Sequence, residues 1–248
     1  MQQITWLEGD IVRSRELPPE TQEIVPGVLW GSPAEVLSPA YWALQMEDPQ
    51  SPKHGYINTQ GCLVEEVGFC LLGGFGVKVE LAEAYHQRLL DEGVYQEAQP
   101  DQLRILELLT RPATVDGRAA RYRFPNQRAE RLAQAIPALD ESRFRTSDSQ
   151  LLRRQLQTLK GIGPKTASWI VRNWLGSDDV AILDIHVVRA CQAIGVFPVS
   201  VDLISDYDQL ETSFLDFSKA LGVKASILDA VIWHRMRDFS PRLIQGLT

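Results

Sequence analysis

The chain is poor in the residues that build metal centres and cross-links. Its 248 residues include three cysteines, Cys62, Cys70 and Cys191. Three cannot form a disulfide framework or a four-cysteine zinc or iron–sulfur site, so no iron–sulfur cluster is expected. They read as buried free thiols in a reducing cytoplasm. Histidine is nearly as scarce: His54, His86, His186 and His234. None stands at the His-x-x-x-His spacing of a zinc helix, which disfavours a metal-dependent enzyme, and no cofactor is called for. Long apolar runs are missing as well. Val67–Val77 is too short and too glycine-rich to span a bilayer. The first residues carry no basic leader before an apolar stretch, so no signal peptide is read. The expectation is a soluble cytoplasmic protein, nucleoid-associated in a bacterium or archaeon. Low-complexity segments and internal repeats are lacking, and alternating strand patterns are almost absent.

The remaining composition is that of an ordinary globular chain, 44% hydrophobic and 23% charged, long enough for one or two domains. The net charge of −7 argues against a general nucleic-acid binder, but the average conceals a division. Arg111–Arg172 holds 13 Lys and Arg against 5 Asp and Glu, a local +8, and the rest of the chain carries −15. A basic segment on an acidic body is the footprint of a phosphate-binding surface.

Apolar spacing predicts helices over 33–46, 64–72, 77–90, 100–109, 126–135, 150–159, 164–174, 187–194, 203–221 and 228–236. Pro112 and Pro137 mark stops. The proline-spotted first sixty residues read as short helices and loops. The fold class is all-α, with two helical subdomains and the active cleft between them. One subdomain packs the N-terminal residues 1–104 with the C-terminal residues 187–248; the other is a hairpin domain, 105–186.

The informative stretch is Leu159-Lys160-Gly161-Ile162-Gly163-Pro164-Lys165-Thr166-Ala167. Two glycines, two apart, join two helices. Glycine accepts backbone angles that other residues resist and lets backbone N–H groups approach an anion closely. The turn opens into a helix N-terminus, with about half a positive charge. Such a turn grips a nucleic-acid phosphate without reading sequence. Ile162 is expected to plug the apolar space between the helices, and Pro164 suits the first helical turn. A plain tight turn is the competing reading. Further on, Val180-Ala181-Ile182-Leu183 leads to Asp184, placed as a helix N-cap.

Leu159–Ala167 followed by Val180–His186 resembles the helix–hairpin–helix (HhH-GPD) DNA glycosylase superfamily, with Lys165 and Asp184 at the superfamily's separation. Lysine just past the hairpin resembles the bifunctional members. The likeness is greatest to the 8-oxoguanine DNA glycosylase/AP lyases of the compact archaeal and bacterial type. Leu228-Asp229-Ala230-Val231-Ile232-Trp233 is similar to an element near their C-terminus. The resemblance implies a monomer that binds duplex DNA containing an altered base and flips that base out for excision.

The residue types fit that chemistry. Breaking an N-glycosidic bond builds positive charge on the sugar, which a carboxylate stabilises and an amine can attack. Asp184 and Lys165 supply these groups, and a helix start or burial in a cleft favours the neutral, nucleophilic amine. Gly161, Ile162, Gly163, Thr166, Lys160 and Arg128 are the expected DNA contacts. His186 matches the superfamily's Asp-x-His. Arg121, Arg123 and Arg131 join Arg128 as a candidate phosphate surface. Phe75, between glycines, is a candidate wedge in a place where many family members have Asn or Gln. Asp229 and Trp233 are candidate pocket residues. Each has a plain alternative: a solvated lysine, a simple cap, core aromatics. Two further functions stay open. One is excision of an enzymatically modified pyrimidine, such as a glucosylated one in phage DNA, as a defence enzyme. The other is a non-catalytic hairpin DNA-binding module, which would not need the Lys165 and Asp184 pair.

Overall fold

The computed structural model describes residues 1–48, 50–52, 62–74, 76–139, 144, 148–237 and 239. Among them the chain is mostly helical, with three small two-stranded sheets.

The chain opens on strands rather than on the expected short helices and loops. β1 (Gln2–Glu8) pairs antiparallel with β2 (Ile11–Leu17), from Gln2 opposite Leu17 to Glu8 opposite Ile11. Gly9 takes the left-handed turn between them, at φ +61°. The signal was hidden because Leu7, Ile11 and Val12 are exposed at the turn end while Ile4 and Leu17 face the core. Apolar residues on both faces erase the alternation that marks a half-buried strand. A second hairpin, β3 (Glu23–Val25) with β4 (Val28–Leu29), follows. α1 (Pro39–Glu47) starts later than the spacing suggests, at Ser38, whose hydroxyl accepts the Tyr41 N–H at 2.9 Å. Proline at its first position needs no hydrogen bond there.

The middle of the chain follows the helical reading closely. It comprises α2 (Leu63–Leu72), α3 (Val79–Asp91), α4 (Gln102–Thr110), a short hairpin of β5 (Ala113–Val115) and β6 (Arg118–Ala120), α5 (Pro125–Ala138), α6 (Ser149–Leu156) and α7 (Pro164–Leu175). Asp101 caps α4 and Asp148 caps α6, each through a backbone N–H. α5 runs through Pro137, which removes one bond in the last turn without ending the helix before it. Then come α8 (Ile185–Ala193), α9 (Tyr207–Leu221) and α10 (Ala225–Met236).

The chain forms two compact units, Met1–Ile57 with Ser177–Thr248, and Asn58–Gly176. The division differs from the one read in the sequence. α2 packs on α5 and α7, and α4 on α5, so the helices before 105 belong with the hairpin. The segment that carries Asp184 belongs with α8, α9 and α10. In the first unit Trp42, Tyr207, Phe214, Phe217, Leu228 and Val231 lie in one buried core. In the second, Val67, Leu71, Leu89, Leu132 and Ile170 are buried, at the apolar positions of α2, α3, α5 and α7. No described helix is long and apolar enough to cross a membrane.

Candidate functional site

The hairpin forms as the local sequence dictates. After α6 the chain turns through Leu159, whose carbonyl accepts the Ile162 N–H at 3.1 Å. Gly161 sits at φ +92°, where a side chain would be strained. Gly163 is different: φ −91° and ψ 179° are ordinary extended values. It caps α7 with open space where a Cβ would stand. One glycine is therefore required by the turn, and the other leaves the helix start uncovered. Ile162 is buried beneath them. Lys165 and Thr166 occupy the first turn of α7. Lys165 is exposed rather than buried in a cleft.

α5 supports the hairpin from below. The Lys160 amine pairs with Glu130 at 2.5 Å. The Arg131 side chain lies so close to Gly161 that a Cβ there would come within 2.6 Å of it. Among the described residues the Arg131 Nε is buried without a hydrogen-bond partner. Burial, with Arg128 nearby, pushes the Arg131 guanidinium below its ordinary range. Arg128 does not stand on an outward phosphate surface, as the sequence suggested. It is 9% exposed, and it donates to the Gly73 carbonyl at the end of α2, at 3.0 Å. Its place on the apolar face of α5, one position from Ala129 and four from Leu132, explains this inward turn. Beside it, burial raises the Tyr122 hydroxyl to about 12, with Arg128 opposing. That hydroxyl donates to the Leu72 carbonyl. Arg121 and Arg123 are exposed.

In the other unit, Asp184 is half-buried as the N-cap of α8. Its Oδ1 accepts both the His186 and Val187 N–H groups, each at 2.9 Å. Both bonds fall on one oxygen, which fixes the carboxylate and leaves Oδ2 to face other groups. His186 is half-buried on the first turn. Asp229 is buried on α10, and Trp233 is half-buried with the Arg237 guanidinium 4.5 Å from its ring centre. Phe75 lies outside the described residues. The structure thus groups Lys160, Gly161, Ile162, Gly163, Lys165 and Thr166 in one unit, and Asp184, His186, Asp229 and Trp233 in the other.

Sequence reasoning missed Glu66, buried on α2 at hydrogen-bonding range of the Asn173 side chain. The Cys70 thiol lies 3.8 Å from its carboxylate. Burial raises the Glu66 carboxyl to about 7. The signal was available: Glu66 is three residues after Leu63 and four before Cys70, on the apolar face of the helix. Among the described residues no cluster of three or more His, Cys, Asp or Glu could hold a metal ion.

A glycine hairpin feeding a helix that carries lysine on its first turn, in a mostly helical chain, defines a helix–hairpin–helix protein. The family Ogg-HhH, described as 8-oxoguanine DNA glycosylase, matches residues 58–223, and the chain belongs to that family. A similar protein is the 8-oxoguanine DNA glycosylase/AP lyase of Saccharolobus islandicus. The two are 33% identical over 127 residues, covering 48% of this chain and 61% of the relative. The chain thus spans about three-fifths of the length of such curated relatives. Among solved structures, the 8-oxoguanine DNA glycosylase of Thermotoga maritima aligns with a TM-score of 0.55 at 25% identity, over 70% of this chain and 78% of that one. The Methanocaldococcus jannaschii 8-oxoguanine glycosylase/lyase, in complex with a 15mer DNA containing 8-oxoguanine, aligns with a TM-score of 0.52 at 26% identity, over 70% and 79%. The N-terminal hairpins lie outside the family match.

Proposed function

We propose that the chain is a DNA glycosylase with AP lyase activity, excising an altered base from duplex DNA, with 8-oxoguanine as the substrate. The observation that carries this reading is the exposed Lys165 on the first turn of α7, directly after the glycine hairpin, in a chain of this family. The relatives' names supply the base.

In this reading the N–H groups around Gly161–Gly163 and the start of α7 hold a backbone phosphate. Lys160, Thr166 and His186 assist. Asp229 and Trp233 are proposed for the extruded base, the carboxylate accepting from base N–H groups and the indole stacking. Asp184 stabilises positive charge at the sugar as the C1′–N bond breaks, and the base leaves with that electron pair and a proton. The Lys165 amine bonds to C1′. Opening of the sugar ring then gives a protonated Schiff base. Loss of a C2′ proton and of the 3′ phosphate cuts the strand by β-elimination. The amine acts as nucleophile, and the carboxylate contributes ~10²–10⁴-fold as an electrostatic and proton-transfer partner.

Borohydride trapping tests this on duplexes holding 8-oxoguanine, uracil, an abasic site or glucosylated hydroxymethylcytosine. The expected result is a covalent adduct on 8-oxoguanine that Lys165→Gln abolishes. An adduct confined to the glucosylated base would transfer the reading to defence against modified DNA. Binding without excision or adduct on every duplex would leave only a hairpin DNA-binding module.

A further inference from the structure

The segment 180–183 delivers Asp184 to the start of α8, and it is neither helix nor strand. Its side chains Val180, Ala181 and Leu183 are fully buried. Buried backbone groups outside a ladder must find partners elsewhere. Here two buried side chains of α9 supply them. The Ala181 N–H donates to the Glu211 carboxylate at 2.9 Å. The Tyr207 hydroxyl donates to the Ala181 carbonyl at 2.8 Å and accepts the Leu183 N–H at 3.3 Å. The Asp184 N–H closes back on the Ile182 carbonyl at 3.0 Å. Tyr207 is 2% exposed and Glu211 3%. They stand four apart, hence on one face of α9.

A buried carboxylate on a backbone amide is an expensive way to support a loop, because removing the charge from water is costly. A leucine would fill the space but leave the buried Ala181 N–H without this acceptor. What the polar pair adds is a fixed path for three consecutive residues, ending one bond before Asp184. The α8 end of the same carboxylate is fixed by its two cap bonds. Asp184 is therefore held from both sides, by the helix it starts and by the α9 pair behind it.

We infer that Tyr207 and Glu211 are positioning residues for Asp184, setting the place of its carboxylate through the Ala181–Leu183 backbone. The inference rests on the catalytic role proposed for Asp184. The hairpin residues proposed to hold phosphate belong to the other unit.

The test uses the intact chain with Tyr207→Phe, Glu211→Leu, Glu211→Gln and Asp184→Asn. Single-turnover excision and equilibrium affinity for the same 8-oxoguanine duplex are measured below each variant's melting temperature. Tyr207→Phe and Glu211→Leu are expected to slow excision about 10- to 100-fold, the penalty for an ångström-scale misplacement, with affinity unchanged. Glu211→Gln keeps an acceptor for the Ala181 N–H and is expected to restore most of the rate. Adding Tyr207→Phe to Asp184→Asn should then cost nothing further. Wild-type excision rates in Tyr207→Phe and Glu211→Leu, with Asp184→Asn inactive, would overturn the inference and leave the Asp184 reading standing. An additive loss in the double variant would overturn it as well. Full activity in Asp184→Asn would instead remove the catalytic reading on which it rests. Should Glu211→Leu fail to fold, the comparison of Tyr207→Phe with wild type decides.

Discussion

Two demands meet at Asp184. As a cap it satisfies two N–H groups of α8 through Oδ1, and as a charge it serves the proposed reaction. Asparagine separates the two. Its side-chain oxygen still accepts the cap bonds, so Asp184→Asn should melt close to wild type, while alanine should lose about 1 kcal/mol. Excision should fall in both by at least ~100-fold if the carboxylate stabilises the sugar cation. Thermal melts and single-turnover rates on the same preparations decide, and an active asparagine variant would remove Asp184 from the chemistry.

Glu66 makes a separate prediction at the same scale. Its carboxyl titrates near 7 in the fold, against an ordinary 4.5, chiefly because burial disfavours the charge; the Asn173 and Cys70 side chains oppose the shift. The folded value is raised, so the native state binds the proton more tightly than the unfolded chain. This stability is fully present below about pH 4.5 and is lost as pH rises through about 7. At about 1.4 kcal/mol per pKa unit, ionising Glu66 should cost roughly 3 kcal/mol by pH 8. Glu66→Gln should therefore be more stable than wild type at pH 8, with the difference vanishing toward pH 4.5. Urea midpoints of both proteins across that window test the sign. A constant difference would mean that the proton is not the cause.

At the scale of elements, the hairpin was legible because its signals are local. Glycine spacing, proline at a helix start and a capping acid need no knowledge of the rest of the chain. What was illegible depends on neighbours distant in sequence. Arg128 reads as a surface cation until the end of α2 is placed beside it. Tyr207 and Glu211 read as helix residues until the 180–183 backbone is placed before them. The β1–β2 hairpin hides behind exposed apolar residues. The two hairpin glycines, alike in sequence, now make opposite predictions. Gly161→Ala must hold φ +92° and displace the Arg131 side chain, so it should cost about 1–2 kcal/mol of stability. Gly163→Ala has ordinary angles and open space, so the fold should change by less than about 0.5 kcal/mol. Its methyl would nonetheless stand at the helix start where a phosphate is proposed. Weaker duplex binding by a normally folded Gly163→Ala chain would support a phosphate there, and unchanged affinity would place it elsewhere.

At the scale of the molecule, the order of the chain matters. The unit 58–176 is contiguous, whereas the other is assembled from both ends of the sequence. The contiguous unit holds 16 Lys and Arg against 14 Asp and Glu, a net +2, and the remaining residues carry −9. The acidic average is thus a property of the segments that lack the hairpin. Residues 58–176 have buried apolar side chains of their own, from Leu63 to Val171, including Leu71, Tyr85, Leu109 and Leu132. Such a fragment is within the size at which single domains fold. Expressed alone, it should be helical by circular dichroism and bind duplex DNA with an affinity that falls as salt rises, since cations displaced from phosphates set that slope. It should excise nothing, because Asp184 lies outside it. A helical fragment without DNA affinity would mean that the basic segment is not the binding surface. Excision by the fragment would show that the hairpin and Lys165 suffice for the chemistry and that Asp184 only caps α8.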